Sequence, residues 1–257
     1  DYRSARTLQE DGESLGEQDQ RNVVDLLVEQ VEFCDVLLIS KTDLVSEADL
    51  ETLTATLRLL NPEARIIPIR HGMVPLDAVL DTGLFDFEKA QQAPGWLKEM
   101  RGEHLPETEE YGISSFSYEA RRPFHPQRFW DFLQQPWPYG TLLRSKGFFW
   151  LASRPQFAGN WSQAGEIAHH GPAGLFWKTV PDKHWPTDPD YRAMIMEKWQ
   201  EPFGDMRQEL VFIGHNLQPE TTFRALDACL LTEEEMLAGK ELWQQLEDPF
   251  PQWEMAG

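Results

Sequence analysis

Cysteine is scarce in this chain of 257 residues: there are two, Cys34 and Cys229, far apart and with no C-x-x-C. No disulfide framework or thiolate metal site can be read from such a pair, and a reducing, cytoplasmic setting is the default. No apolar run approaches the ~18 residues that a transmembrane helix needs. The first six residues, Asp1 to Arg6, form no signal peptide and do not look like the start of a domain. Basic residues are also few, with 23 Lys and Arg against 43 Asp and Glu, for a formal net charge of −20. A surface that acidic repels phosphate backbones and anionic headgroups, so neither nucleic acid nor membrane is expected as a partner. None of the 17 glycines opens a G-x-x-x-x-G-K-[ST] loop, and Gly239-Lys240 is followed by Glu241 in an acidic stretch. Without that loop there is no backbone cradle for phosphates and no hydroxyl for Mg²⁺, so this chain alone is not expected to hydrolyse a nucleoside triphosphate. The seven histidines (71, 104, 125, 169, 170, 184 and 215) form no H-E-x-x-H and no Cys/His cluster. They read as surface or hydrogen-bonded side chains, with a metal site gathered from distant residues as the alternative.

What is present suffices for a packed core: 41% hydrophobic residues and 12% aromatics, with 10 Trp. In the first third, Val24, Leu27, Val28 and Val31 keep helical spacing from Gln20 to about Phe33. Val36–Ile39 is a continuous apolar run, the mark of a strand buried on both faces. Ser46 reads as the N-cap of a helix whose Leu50, Leu53, Leu57 and Leu60 share a face, and Asn61-Pro62 stops it. Residues 65–69 read as a second strand, at an edge because of Pro68, and Leu76, Val79 and Leu80 mark a short helix ending near Gly83. This alternation predicts a parallel sheet with right-handed crossovers. Residues 91–111 read as a linker, broken by Pro94-Gly95 and Gly102, which gives a division into 1–90, 91–111 and 112–257. The last part reads as α+β. Its strand candidates are 113–118, 142–151, 166–169, 175–178 and 208–213, with turns at Ala158-Gly159-Asn160 and Gly171-Pro172 implying antiparallel pairing. Its helices are placed at Pro126 onward, 189–200, 219–229 and in pieces over 232–246.

Ser40-Lys41-Thr42-Asp43 carries the most chemistry. It stands at the carboxyl end of the first strand, where open parallel sheets bind their ligands, and fits the guanine-reading [N/T/S]-K-x-D element of GTPases. The Asp43 carboxylate can accept two N–H donors from the guanine edge, and the Lys41 stem can lie along the base. The bland alternative is a solvated loop with Asp43 as a local cap. At the end of the next strand, His71-Gly72 would allow backbone to approach the base closely, or form an ordinary strand-to-helix turn. Two basic-aromatic stretches, 121–126 and 144–150, stand out in so acidic a chain. They either bind an anion, an acidic partner or the first domain, or pair with local carboxylates while their aromatics fill the core.

Leu26 to Val36 running into Ser40-Lys41-Thr42-Asp43-Leu44-Val45, with Asn61-Pro62, residues 74–77 and 81–86, resembles the CobW-type P-loop GTPases. Residues 121–126, 128–130, 144–148, 161–165 and 207–214 resemble the CobW C-terminal domain, and together they look most like the zinc-chaperone branch. The fold this implies is a partial P-loop GTPase domain, a parallel sheet with helices, followed by an α+β domain with an antiparallel sheet. The resemblance implies nucleotide contacts at Ser40, Lys41, Asp43, His71 and Gly72, with GTP or GDP and Mg²⁺ as cofactors, zinc as the metal and a client metalloprotein as partner. Ser40 stands where Asn is more usual, which removes an amide able to brace the loop. The family's phosphate loop, Mg²⁺ residues and C-x-C-C metal motif would all precede residue 1, so the chain resembles the C-terminal two-thirds of a member. An exposed sheet edge at the truncation leads to an expectation of self-association. The competing readings are a non-catalytic interaction module and a cobalt or iron chaperone of the same family.

Overall fold

The computed structural model describes residues 23–86, 112–165 and 167–253. Helix α1 (Val23–Phe33), strand β1 (Val36–Ile39), helix α2 (Glu47–Leu60) and strand β2 (Arg65–Pro68) make up the first unit. β1 and β2 pair in parallel with Ile39 opposite Pro68. Ser46 caps α2, its hydroxyl accepting from the Asp49 N–H at 3.1 Å. At the other end Asn61, fully buried, donates from Nδ2 to the carbonyls of Val31 and Cys34 at 2.9 Å each. Its Oδ1 accepts from the Glu63 and Ala64 N–H groups, so one side chain ties the α1–β1 corner to the α2–β2 corner. The short helix expected after Val74 is a single 3-10 turn, Leu76–Ala78.

Two expected apolar stripes meet different neighbours. On α1, Val24 and Val28 are buried but Leu27 is exposed; on α2 the buried residues are Ala55, Leu59 and Leu60, and Leu53 is exposed. Both helices turn these faces toward the second unit's sheet, where they share a core with Ile113, Ala164, Val211 and Ile213. β1 is not buried on both faces: Leu38 is exposed, and among the described residues only β2 pairs with it.

The second unit contains β3 (Ile113–Ala120), α3 (Pro126–Gln134), β4 (Thr141–Trp150), β5 (Phe157–Ala164), β6 (Ile167–Leu175), α4 (Pro189–Glu197), β7 (Gln208–His215), α5 (Pro219–Cys229), α6 (Glu233–Ala238) and α7 (Lys240–Trp243). Its five strands run antiparallel in the order β3-β7-β4-β5-β6. β7 is an interior strand, flanked by β3 and β4 and buried almost throughout. Side-chain alternation splits its residues between two cores. Val211 and Ile213 face α1 and α2, while Leu210 and Phe212 face the aromatic cluster built on Phe116, Phe124, Phe129 and Phe149. β3, expected to be half-buried, is covered on both sides for the same reason.

The expected turns at 158–160 and 171–172 are absent. These residues lie opposite one another within β5 and β6, with Gly159 paired to Pro172 and Asn160 to Gly171, and the hairpin turns at Gly165 instead. Gly159 answers to packing, since a Cβ there would meet the Phe149 ring at 2.4–2.6 Å. Pro172 is tolerated because β6 is the outermost strand. The expected strand at 175–178 is a 3-10 turn, Trp177–Thr179. There the Asp205 carboxylate accepts from the Trp177 and Lys178 N–H groups at 2.8 and 2.9 Å and curls the chain.

Candidate functional site

The carboxyl ends of β1 and β2 form a rim on which both sequence-predicted loops meet. After Ile39 the backbone enters a 3-10 turn, Thr42–Leu44, closed by the Leu44 N–H on the Lys41 carbonyl at 3.0 Å. Thr42 points inward and is buried, its hydroxyl donating to the Ile69 carbonyl at 3.0 Å and its N–H to the same oxygen at 3.4 Å. With Thr42 anchored to the next strand, its neighbours Ser40, Lys41 and Asp43 are left exposed. The second loop is closed by the Met73 N–H on the Arg70 carbonyl at 3.0 Å. It brings His71 Nε2 to 3.9 Å from Asp43 Oδ2. Lys41 and His71 both hold left-handed backbone, φ 58° and 51°, with Gly72 beside them at φ 71°. Left-handed non-glycine residues are strained and gather where surrounding structure fixes a functional loop. Nothing lies within 4 Å of the place a Cβ would occupy on Gly72, so its surface is open.

The two loops, joined through Thr42, carry the exposed Asp43 carboxylate, Lys41 ammonium and His71 imidazole, with the exposed Arg70 beside them. The carboxylate can accept from an edge that offers N–H donors. Among the described residues no group of three or more His, Cys, Asp or Glu could hold a metal ion. His104 lies outside the described residues. His170 instead packs edge-on against Trp130 and Phe250, and burial lowers its pKa, with Arg154 adding to the effect.

The basic-aromatic stretches are structural. Arg121 donates to the carbonyls of Lys198 and Gly204, and Arg122 to that of Leu231. Arg144 leaves its own unit: its Nε and Nη2 reach Glu32 of α1 at 2.9 and 3.1 Å, with both side chains 1% exposed. Phe149 and Trp150 are fully buried. Sequence reasoning missed Thr42 as the anchor of the rim and Glu32 as Arg144's partner. Glu32 carried a legible signal, because it continues the buried Val24–Val28 spacing and places a carboxylate on an apolar face.

A parallel strand pair whose helices share a core with an antiparallel α+β unit is the architecture of two joined domains. The chain matches the nucleotide-binding domain of CobW/HypB/UreG over residues 5–68 and the cobalamin synthesis protein cobW C-terminal domain over residues 113–230. The chain thus carries CobW-family domain sequence in both of its units. It is 45% identical over 254 residues to zinc-regulated GTPase metalloprotein activator 1 of Dictyostelium discoideum, covering 97% of this chain and 53% of that protein. It is 29% identical over 253 residues to a zinc chaperone of Mycobacterium tuberculosis, covering 94% of this chain and 58% of that one. The chain thus spans about half the length of these curated relatives, less than the two-thirds expected. The Zn(II)-bound YjiA GTPase from E. coli is 18% identical, covering 80% of this chain and 55% of that one with a TM-score of 0.36, a level at which the likeness carries no argument. No described helix is long and apolar enough to cross a membrane.

Proposed function

We propose that the chain is part of a GTP-dependent zinc chaperone, with zinc as cargo and a metalloprotein as client. Residues 1–90 contribute the base-reading side of the nucleotide domain, 91–111 the linker and 112–257 the client-docking domain. It acts in the cytoplasm, without nucleic acid or membrane partners, and the edge of β1 that no described strand covers favours self-association. The observation that carries this reading is the meeting of Asp43 with the His71-Gly72 loop at the carboxyl ends of two parallel strands, in a chain similar to proteins named for zinc and GTPase activity. Ser40 leads from β1 into the loop, Lys41 lies along the base, Asp43 accepts from the base edge, and His71 with Gly72 packs on it. Phosphate and Mg²⁺ chemistry is assigned to none of these residues.

The experiment is nucleotide calorimetry on the chain extended to the length of its relatives, wild type against Asp43→Asn. Guanine offers two N–H donors to a carboxylate, whereas an amide presents one acceptor and one donor and suits xanthine instead. Losing one hydrogen bond and the charge assistance of the other, and facing an N–H with an NH₂, lowers GTP affinity about a hundredfold and shifts preference toward XTP. Unchanged GTP binding in Asp43→Asn refutes the base-reading role. Zinc affinity that is equal in the GTP and GDP states refutes metal delivery, since a driven chaperone requires the two to be coupled.

A further inference from the structure

We propose that the cavity between α3 and the five-stranded sheet takes an uncharged apolar side chain presented by an extended segment of the client polypeptide, a step that rests on residues 112–257 being the docking domain. The cavity measures about 470 Å³, within the range of built ligand sites and far above the voids that packed interiors leave. Of its lining, Phe129, Leu210 and Leu226 are buried, while Gln135, Pro136, Thr141 and Ala168 are exposed and mark its mouth. No charged side chain lines it, although 26% of the chain's residues are charged. A charged occupant would lose its hydration there without a counter-charge.

Two polar groups in the lining fix the rest of the chemistry. Gln163 is 7% exposed; its Nε2 donates to the Gly165 carbonyl, but its Oε1 is buried without a partner. The indole Nε1 of Trp137 is likewise buried without a partner. Ser145, by contrast, is satisfied, its hydroxyl accepting from Trp161 Nε1 at 2.8 Å. Both atoms are closed off from solvent, so each gains a partner only as the lining shifts around an entering ligand; a peptide unit, with one N–H and one carbonyl, brings a partner for each. The position of the mouth points the same way. Ala168 lies on β6, the outermost strand, directly opposite Gln163 and on its face of the sheet. A segment laid along β6 sets every second side chain on the cavity side.

The test uses this chain without nucleotide or metal, so its failure leaves the base-reading assignment untouched. Calorimetry is run with blocked heptapeptides of threonine carrying Trp, Leu, Asp or Lys at the centre, and with N-acetyltryptophanamide. The Trp and Leu peptides are expected to bind, with the Asp and Lys peptides and the single blocked residue weaker by about tenfold or more. Ala168→Trp, which fills the mouth from an exposed position, and Gln163→Leu, which removes the acceptor, each weaken the Trp peptide by about tenfold or more. Thermal melting checks that both fold, and Ala168→Trp alone carries the test if Gln163→Leu does not. The proposal is overturned if no peptide binds, if Ala168→Trp binds as the parent does, or if N-acetyltryptophanamide binds as tightly as the Trp peptide, which would make the cavity a small-molecule site.

Discussion

Glu32→Gln is the sharpest single perturbation of this fold. The substitution keeps the size of the side chain and removes one charge from a pair in which both partners are 1% exposed. Arg144 then keeps its hydrogen bond to Ser162 Oγ at 3.3 Å but loses the Glu32 charge in a place that water does not reach. Breaking a buried pair from one side costs about 3–5 kcal/mol, whereas replacing both partners with apolar residues of similar volume is often neutral. At ~2–4 °C per kcal/mol for a chain of this size, the midpoint of unfolding falls by roughly 6–20 °C. Because Glu32 lies on α1 and Arg144 on β4, the loss concerns the seam between the units. Amide exchange should quicken in α1 and α2 before it does in β7. The cycle of Glu32→Leu, Arg144→Met and Glu32→Leu/Arg144→Met, run beside Glu32→Gln and followed by thermal and urea unfolding, measures the coupling. A cost under about 1 kcal/mol for Glu32→Gln, or a double variant as unstable as the sum of the singles, refutes the reasoning.

Gly147→Ala places a Cβ 2.0 Å from the Glu209 carbonyl at a backbone φ of 148°, so urea unfolding should show a loss of about 3 kcal/mol or more; a loss below about 1 kcal/mol contradicts the β4–β7 register. The Arg128 guanidinium, helped by the Thr232 N–H, holds the Glu235 carboxyl down from its ordinary 4.5 to about 2. A carboxylate with a depressed folded-state pKa contributes stability above pH 4.5 and loses it as the pH falls toward 2. Glu235→Gln should therefore flatten the melting profile across that window, by under about 1 kcal/mol because the pair is a third exposed; an unchanged acid slope removes the pair from the stability argument. Burial pushes the Cys229 thiol up to about 11 and also raises that of Cys34. Cys34 is the less buried of the two, so a thiol reagent at pH 8, followed by mass spectrometry, should label it first and reach Cys229 only at the rate of unfolding. Early labelling of Cys229 would place it nearer the surface than the fold allows.

The elements most legible in the sequence were those whose signal is local. Ser46 and Asn61-Pro62 bracketed α2 because a cap and a stop act within one turn, and Val36–Ile39 was long enough and apolar enough to be a strand. Which face each helix buries was not local. Leu27 and Leu53 keep helical spacing with their neighbours, yet the sheet that covers α1 and α2 comes from residues more than fifty positions away and selects Val24, Val28, Ala55 and Leu59. The β5–β6 hairpin failed for a related reason. Glycine and proline signal turns when judged alone, but Gly159 answers to the ring of Phe149 across the sheet, and Pro172 to its place on an outer strand.

The candidate site divides along the same line. Ser40, Lys41 and Asp43 were readable because a strand end followed by K-x-D needs only consecutive residues. That the intervening Thr42 fastens this loop to Ile69 was not readable, since the bond spans 27 positions. This bond fastens the loop to the neighbouring strand and spends the only inward-facing side chain of the tetrapeptide there. A loop held in that way keeps its carboxylate oriented before any ligand arrives, which lowers the entropy cost of binding. The same logic applies to Glu32, where a charge on an apolar helical face announced a distant partner without naming it. A charge or hydroxyl that breaks the local pattern of burial is thus a marker of long-range structure, and in this chain both such residues sit within ten positions of the rim that would read the base.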